Sequence, residues 1–246
     1  MNLKKIARTL MFTSLVGVLS IKGHETVINN FEASYSFIHR NKLENFVLLL
    51  SIIELENESI MESNASGFVF KQTKDEVFII TADHFCNPHH FGKVDITTIT
   101  GFEGERKFAA FNQNFERYIK VSHYDKANDI CVMRGPALPT DSFKEIKIAK
   151  SMPDIGDKIY NAAAPHGLSY PEVVLLFDGY FGGCKGLYEG CLFTIPAAPG
   201  SSGSAVYNSK GEVISIVVAT LEDFKNISIG PHPSMLKGIM EHESNN

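Results

Sequence analysis

The sequence predicts an all-β protein, either a sandwich or a pair of barrels, with one short C-terminal helix. Three observations carry that prediction. Short apolar runs rich in Val, Ile, Phe and Thr recur from residue 46 to residue 219, punctuated by Gly, Asn, Asp, Lys and Pro. No long helical pattern is interleaved with them, which separates the chain from folds that alternate strands and helices. Gln72-Thr73-Lys74-Asp75 and Asn208-Ser209-Lys210-Gly211 each lie between two apolar runs, as hairpin loops do.

In chain order, residues 1–23 read as a secretory signal peptide. Lys4, Lys5 and Arg8 precede the uncharged apolar run Leu10–Ser20, which is too short for a membrane span. The expected product is exported, to a periplasm or to the outside, and no later stretch approaches membrane-spanning length. Residues 24–45 form a polar extension. The expected strands are Phe46–Glu54, Gly67–Phe70, Val77–Thr81, Val94–Thr100, Lys107–Phe111, Ile130–Arg134, Lys158–Ala163, Val173–Phe177, Cys191–Ile195, Ala205–Tyr207 and Val213–Ala219. Ser234–His242 has a helical pattern with Ser234 as its N-cap.

Composition narrows the function classes. Of 246 residues, 44% are hydrophobic and 21% charged, with a formal net charge of -5. That balance excludes a disordered chain and lacks the basic footprint of a nucleic-acid binder. Four cysteines in a chain of this length are too few for a disulfide scaffold.

Three segments carry chemistry. Ile80-Thr81-Ala82-Asp83-His84-Phe85-Cys86 places a histidine at the end of an apolar strand. Asp125-Lys126-Ala127-Asn128-Asp129-Ile130-Cys131-Val132 leads an aspartate into another. Pro199-Gly200-Ser201-Ser202-Gly203-Ser204-Ala205 sets a serine in a tight turn before a third. A serine hydroxyl is a weak nucleophile until an imidazole takes its proton. The imidazole in turn needs a carboxylate on its other nitrogen to fix the tautomer and stabilise the imidazolium. Flanking glycines allow backbone N–H groups to converge on a developing oxyanion. Each segment alone is a common surface or turn feature; their joint occurrence in the order His, Asp, Ser is not.

On these motifs the chain resembles the trypsin-like (chymotrypsin-fold) serine peptidases, closest in pattern to the bacterial degradative-protease and viral branches. Thr81-Ala82-Asp83-His84-Phe85-Cys86 parallels the family's Thr-Ala-Ala-His-Cys, with Asp83 in place of an alanine and one extra residue before the cysteine. Asp129-Ile130-Cys131-Val132 parallels Asp-Ile-Ala-Leu. Gly200-Ser201-Ser202-Gly203-Ser204-Ala205 parallels Gly-x-Ser-Gly-Gly-Pro. The resemblance spans residues 58–243. It implies two six-stranded antiparallel β-barrels, the first over residues 46–138 and the second over 139–233, with a C-terminal helix over 234–242. The peptidase domain as a whole would run from 46 to 243.

The resemblance implies a serine endopeptidase acting on polypeptide substrates without a cofactor or metal. Ser202 is the expected nucleophile, His84 the general base and Asp129 the orienting acid, with Asp125, Ser201 and Ser204 as rivals. The N–H groups of Gly200 and Ser202 are the expected oxyanion hole. Pro196, Val218, Ala219 and Thr220 are the expected walls of the specificity pocket, which has no acid for Lys or Arg. Glutamate-selecting relatives carry a histidine and a hydroxyl where Val217 and Ala197 stand, so a small or medium apolar side chain is the default; His232 and Thr194 are outlying candidates for the same pocket. Asp83 either faces solvent or bears on His84. Ser201 replaces the aspartate that receives a new N-terminal amine in digestive relatives. Control would then lie in the turn Pro199–Gly203 and in a Gly-rich loop over Gly179–Gly190.

A disulfide between Cys184 and Cys191 is possible in an oxidising compartment. Cys86 lacks the partner that relatives carry near Ser66, so it and Cys131 are expected to be free and buried. His89 and His90 near His84 match no zinc pattern. The competing reading is a catalytically inactive module that keeps the barrels for binding. An esterase with a Gly-x-Ser-x-Gly elbow is disfavoured, because here the serine comes last and a strand follows it.

Overall fold

The structure is a computed structural model that describes residues 45–54, 60–87, 107–112, 115–137, 143, 146–169, 174–186, 190–221 and 223–245. The expected leader 1–23, the extension up to residue 44, the expected strand Val94–Thr100, and His89 and His90 lie outside the described residues. No helix among the described residues is long and apolar enough to cross a membrane.

Six strands form the first barrel: β1 (Phe46–Glu54), β2 (Ile60–Gln72), β3 (Glu76–Thr81), β4 (Lys107–Asn112), β5 (Phe115–Asp125) and β6 (Ile130–Pro136). They close in the order β1-β2-β3-β6-β5-β4, with β4 pairing back onto β1. Side-chain alternation explains why β3 and β6 are so uniformly apolar. Val77, Ile79, Cys131 and Met133 pack in one cluster with Val47, Leu49 and Val69 of the same barrel. Phe78, Ile80, Ile130 and Val132 point the other way, into a cluster with Tyr160, Tyr207, Val213 and Ile216 of the second sheet. Both faces are buried, so neither face can be polar. The Gln72–Asp75 hairpin is present, closed by Thr73 N–H donating to Glu76 O at 2.8 Å.

The second sheet has seven strands: β7 (Lys158–Ala163), β8 (Leu175–Cys184), β9 (Cys191–Phe193), β10 (Ala205–Asn208), β11 (Val213–Ile216), β12 (Ala219–Leu221) and β13 (Phe224–Gly230). Their order is β11-β10-β7-β8-β9-β13-β12. The count exceeds six because the expected strand Val213–Ala219 breaks in two, and its halves are the two edges of the sheet. Val217 N–H donates to Ser204 O beside β10, whereas Val218 N–H donates to Ile229 O of β13. Two residues thus carry the chain from one edge to the other, and the sheet curls round. Its interior holds Ile159, Phe181, Phe193, Ile195, Val206 and Ile214.

Two α-helices and a 3-10 turn over Pro165–Gly167 complete the described elements. The first, α1 (Asp83–Cys86), is a single turn. The second, α2 (Pro233–Asn245), packs Leu236 and Ile239 into the cluster between the two sheets. It starts one residue before the expected N-cap. Pro233 opens it, as suits a residue without an N–H, and His232 caps it by accepting Ser234 N–H on Nδ1 at 3.3 Å and Met235 N–H on its carbonyl at 3.0 Å.

Four expectations need correction. β5 and β13 were not expected as strands, and β8 runs seven residues past its expected end at Phe177, into the stretch read as a Gly-rich loop, where Gly182 and Gly183 mark a bulge against β9. Cys184 and Cys191 are bonded across that hairpin, as the sequence suggested. Cys86 and Cys131 are not free: they form a disulfide with a Cα–Cα distance of 6.5 Å. The partner is on β6, not on the β2 segment near Ser66 where relatives carry it.

Candidate active site

Each catalytic candidate sits at an element end. β3 delivers Thr81, after which Ala82 turns the chain into α1, whose second residue is His84. The turn between β5 and β6 delivers Asp129, whose backbone is left-handed at φ 53°. Aspartate tolerates that conformation better than most residues. Asp125 shapes this turn: its carboxylate accepts N–H groups from Ala127 at 3.0 Å and Asn128 at 3.2 Å, and the Asn128 side-chain amide at 2.6 Å. Its oxygens are therefore committed to the turn that presents Asp129.

Asp129 grips His84 at two points. Oδ1 accepts the His84 backbone N–H at 2.8 Å, and Oδ2 lies 2.8 Å from Nδ1. On the far side of the ring, Nε2 lies 2.8 Å from Ser202 Oγ. The histidine and aspartate side chains are only 19% and 13% exposed, which shields the pair from solvent. The other two serines are occupied elsewhere. Ser201 Oγ accepts Ala198 N–H at 3.2 Å, and Ser204 Oγ donates to Ser201 O at 2.7 Å while accepting from Asn161 Nδ2 at 2.9 Å. Asp83 is fully buried, so the solvent-facing reading of it is wrong.

The turn bearing Ser202 is clamped by the first barrel. Ser66 on β2 is fully buried; its N–H donates to Ser202 O at 2.8 Å and its hydroxyl donates to Gly200 O at 2.8 Å. That hydroxyl also accepts Ala164 N–H at 2.9 Å, and Thr81 Oγ1 donates to Ser66 O at 2.8 Å. Gly203 lies against the same two residues at φ 84°, and a Cβ there would collide with Ser66 O and Thr81 Oγ1. Sequence reasoning passed over Ser66, although a lone hydroxyl in the apolar run Ala65–Phe70 was the available signal.

The amides of the turn are oriented by one further bond. Pro199 O accepts His166 N–H at 2.6 Å. A planar trans peptide then sends the Gly200 N–H the opposite way. Among the described residues, neither Gly200 N–H nor Ser202 N–H is taken by a backbone carbonyl.

A cleft of about 170 Å³ opens beside Ser202, lined by Ala197, Ala198, Pro199, Ser201, Val217, Ala219, Thr220 and Lys225. Of the expected walls it includes Ala219 and Thr220 but not Pro196 or Val218. Pro196 is exposed elsewhere, and Val218 alternates away from Val217 to pack on the core between the sheets. The outlying candidates are also engaged elsewhere: Thr194 Oγ1 accepts Tyr180 N–H at 2.7 Å, and His232 caps α2. Lys225 lies on β13, a strand that the sequence does not announce, so nothing in the sequence points to it.

Comparison with known proteins identifies the family. Residues 65–216, more than half of the chain, match the family described as a trypsin-like peptidase domain. A protein named serine protease HtrA-like from Staphylococcus aureus strain MRSA252 is 27% identical over 223 residues, covering 79% of this chain and 27% of that protein. Its namesake from strain USA300 is 27% identical over 197 residues, covering 70% of this chain and 23% of its own. The chain thus spans about a quarter of the length of these curated relatives. The crystal structure of a serine endoprotease from Yersinia pestis superposes with a TM-score of 0.61 at 17% identity, over 85% of this chain and 65% of that one, a likeness of fold. By its sequence match and its paired β-sheets, the chain belongs to the trypsin-like peptidase domain family.

Proposed function

We propose that the protein is a serine endopeptidase. The observation that carries the proposal is the His84 ring held 2.8 Å from Asp129 on one nitrogen and 2.8 Å from Ser202 on the other. Ser202 Oγ attacks the scissile carbonyl while His84 Nε2 takes its proton. Asp129 holds the ring in the tautomer that leaves Nε2 free to accept, and stabilises the imidazolium. The proton then passes to the leaving amine, and water attacks the acyl-enzyme by the same route in reverse. Gly200 N–H and Ser202 N–H receive the oxyanion, supported by the orientation of the Pro199–Gly200 peptide and by the absence of a competing backbone carbonyl among the described residues.

The substrates are polypeptides, and the cleft favours a small or medium P1 side chain. Its Ala197, Val217 and Ala219 walls are apolar, and Lys225 supplies a cation at its edge. That combination suits a short side chain ending in a carboxylate. Export is supported by the basic-then-apolar leader and by the two disulfides, which persist in oxidising compartments.

Labelling with a fluorophosphonate probe tests the mechanism, since only an activated serine reacts. The purified protein is expected to label, and Ser202→Ala to remain folded and unlabelled. A folded wild-type protein that does not label would instead support the inactive binding module.

A further inference from the structure

The C-terminal turn of α2 meets the first barrel at a polar cluster that includes none of the residues assigned to the triad or the cleft. His123 comes from β5, and His242 and Glu243 come from α2. One ligand-capable atom from each lies within 4.8 Å of the other two. The two imidazole rings face each other with centroids 5.2 Å apart and planes tilted by 32°. Glu243 Oε1 lies 3.7 Å from His242 Nδ1. From this cluster we infer a binding site for a divalent transition-metal ion of the zinc class.

The local backbone supports that reading. The β5–β6 register slips between Val121 and His123, so that one extra residue stands on β5. Successive strand residues ordinarily face opposite ways, and a bulge re-aims one of them. Here Ser122 and His123 both reach the end of α2. Ser122 Oγ donates to Glu243 Oε2 at 3.0 Å and fixes the carboxylate, with Oε1 on the imidazole side. That is the role a supporting partner plays around a metal ligand.

The chemistry of the donors selects the ion. Two imidazoles and one carboxylate suit zinc, cobalt, nickel or copper, whereas calcium and magnesium require more oxygens. Tetrahedral coordination at about 2.0–2.2 Å places ligand atoms roughly 3.4 Å apart. The His242–Glu243 separation is already close to that value, and rotation of the His123 ring closes the set. Water takes the fourth position. Glu243 is 7% exposed, and a carboxylate buried to that degree needs nearby positive charge. Lys71 Nζ reaches only the Glu243 backbone carbonyl, at 3.5 Å, and the His242 imidazole lies 3.7 Å from Oε1; a bound ion would place positive charge directly on the carboxylate. Bound there, it staples the last turn of α2 to β5, at the far end of the helix from the cap at His232.

The test uses the full chain, stripped with chelator and titrated with Co²⁺, then with Zn²⁺ in competition. One cobalt is expected to bind with the visible bands of a tetrahedral site, and zinc to displace it. Ser122→Ala should weaken binding ~10–100-fold, as loss of a supporting partner does, and His123→Gln or His242→Gln by more. His84→Gln should leave this binding unchanged. In parallel, zinc should raise the melting temperature of the wild type by several degrees and that of His123→Gln not at all. Equal affinities in the wild type and His123→Gln, or binding that disappears only in His84→Gln, would overturn the site.

Discussion

Removing the disulfide between Cys86 and Cys131 should perturb the proposed triad without touching it. Cys86 ends the helical turn that carries His84, and Cys131 lies two residues after Asp129. The bond closes a loop with a sequence separation of 45. In the chain-entropy account, cross-linking such a loop destabilises the unfolded state by about 4 kcal/mol at 25 °C. The corresponding figure for Cys184–Cys191, with a separation of 7, is roughly 2.5 kcal/mol. Measured effects usually fall at or below such values, so about 2–4 kcal/mol is expected from replacing Cys86 and Cys131 together by alanine. For a domain of this size, each kcal/mol moves the melting temperature by about 2–4 °C. A fall of roughly 5–15 °C should follow.

The assay is thermal melting paired with fluorophosphonate labelling at a temperature where both proteins are folded. Labelling should slow more than in the Cys184→Ala/Cys191→Ala control, because the first pair ties the histidine segment to the aspartate segment and the second closes a remote hairpin. Thiol titration in denaturant without reductant should find no free cysteine. Two free thiols in the wild type that trace to Cys86 and Cys131, or a melting temperature within 2 °C of wild type in the Cys86→Ala/Cys131→Ala protein, would refute the reasoning.

Three further outcomes follow from the clamp and the cleft. Ser66→Ala removes the donor to Gly200 O and strands the Ala164 N–H; the expected cost is about 1–3 kcal/mol in melting experiments, with kcat reduced more than KM rises. Gly203→Ala and Gly156→Ala both place a side chain at positive φ, but only the former meets backbone, since nothing lies within 4 Å of a Cβ at Gly156. The first should therefore cost about 1–3 kcal/mol more than the second and abolish labelling, as read by denaturant unfolding and probe reaction. Lys225→Glu should lower kcat/KM for peptides with Asp or Glu at P1 by roughly 5–30-fold relative to Ala at P1, an exposed lysine being worth about 1–2 kcal/mol at the edge of a partly desolvated cleft; unchanged ratios across a peptide library would remove Lys225 from the pocket.

How much of this was legible depended on where each residue's constraint came from. β3 and β6 were readable because both of their faces are buried and the sequence has no freedom to be polar there. The candidate residues His84, Asp129 and Ser202 stood out in the sequence because a nucleophile, a base and an acid need fixed residue types beside fixed turns. β5 was not: from Ile119 to Asp125 it alternates between sheltered and exposed positions, and its Lys, Ser, His, Tyr and Asp resemble a loop until β4 and β6 flank it. β13 begins with three exposed residues for the same reason. The Cys86–Cys131 pairing was hidden because it depends on how α1 folds back over β6, a relation between segments 45 residues apart. Ser66 and Lys225 were hidden likewise, since each acts on a turn or cleft built by distant parts of the chain.

The turn bearing Ser202 also bears on how the proposed peptidase is switched on. In digestive relatives a buried ammonium pairs with an aspartate just before the nucleophile. Here Ser201 fills that position, is 1% exposed, and spends its hydroxyl on Ala198 N–H. An ammonium brought to that place would find no carboxylate on Ser201, and an unpaired buried charge costs several kcal/mol. The support is instead neutral and internal. Ser201 N–H donates to Ala198 O at 2.9 Å, Ser204 N–H to Ser201 O at 3.1 Å, and the buried Asn161 amide to Ser204 Oγ and Ala205 O, both at 2.9 Å. Ser204, which replaces the family's glycine, is thus part of the scaffold, and Ser66 braces the opposite side. None of these groups derives from a chain terminus. A protein comprising residues 24–246 behind an uncleaved N-terminal tag should therefore label with fluorophosphonate as fast as the same protein with its tag removed. Labelling that begins only after cleavage to a defined N-terminus would show that a terminal amine, and not the neutral network, sets the turn.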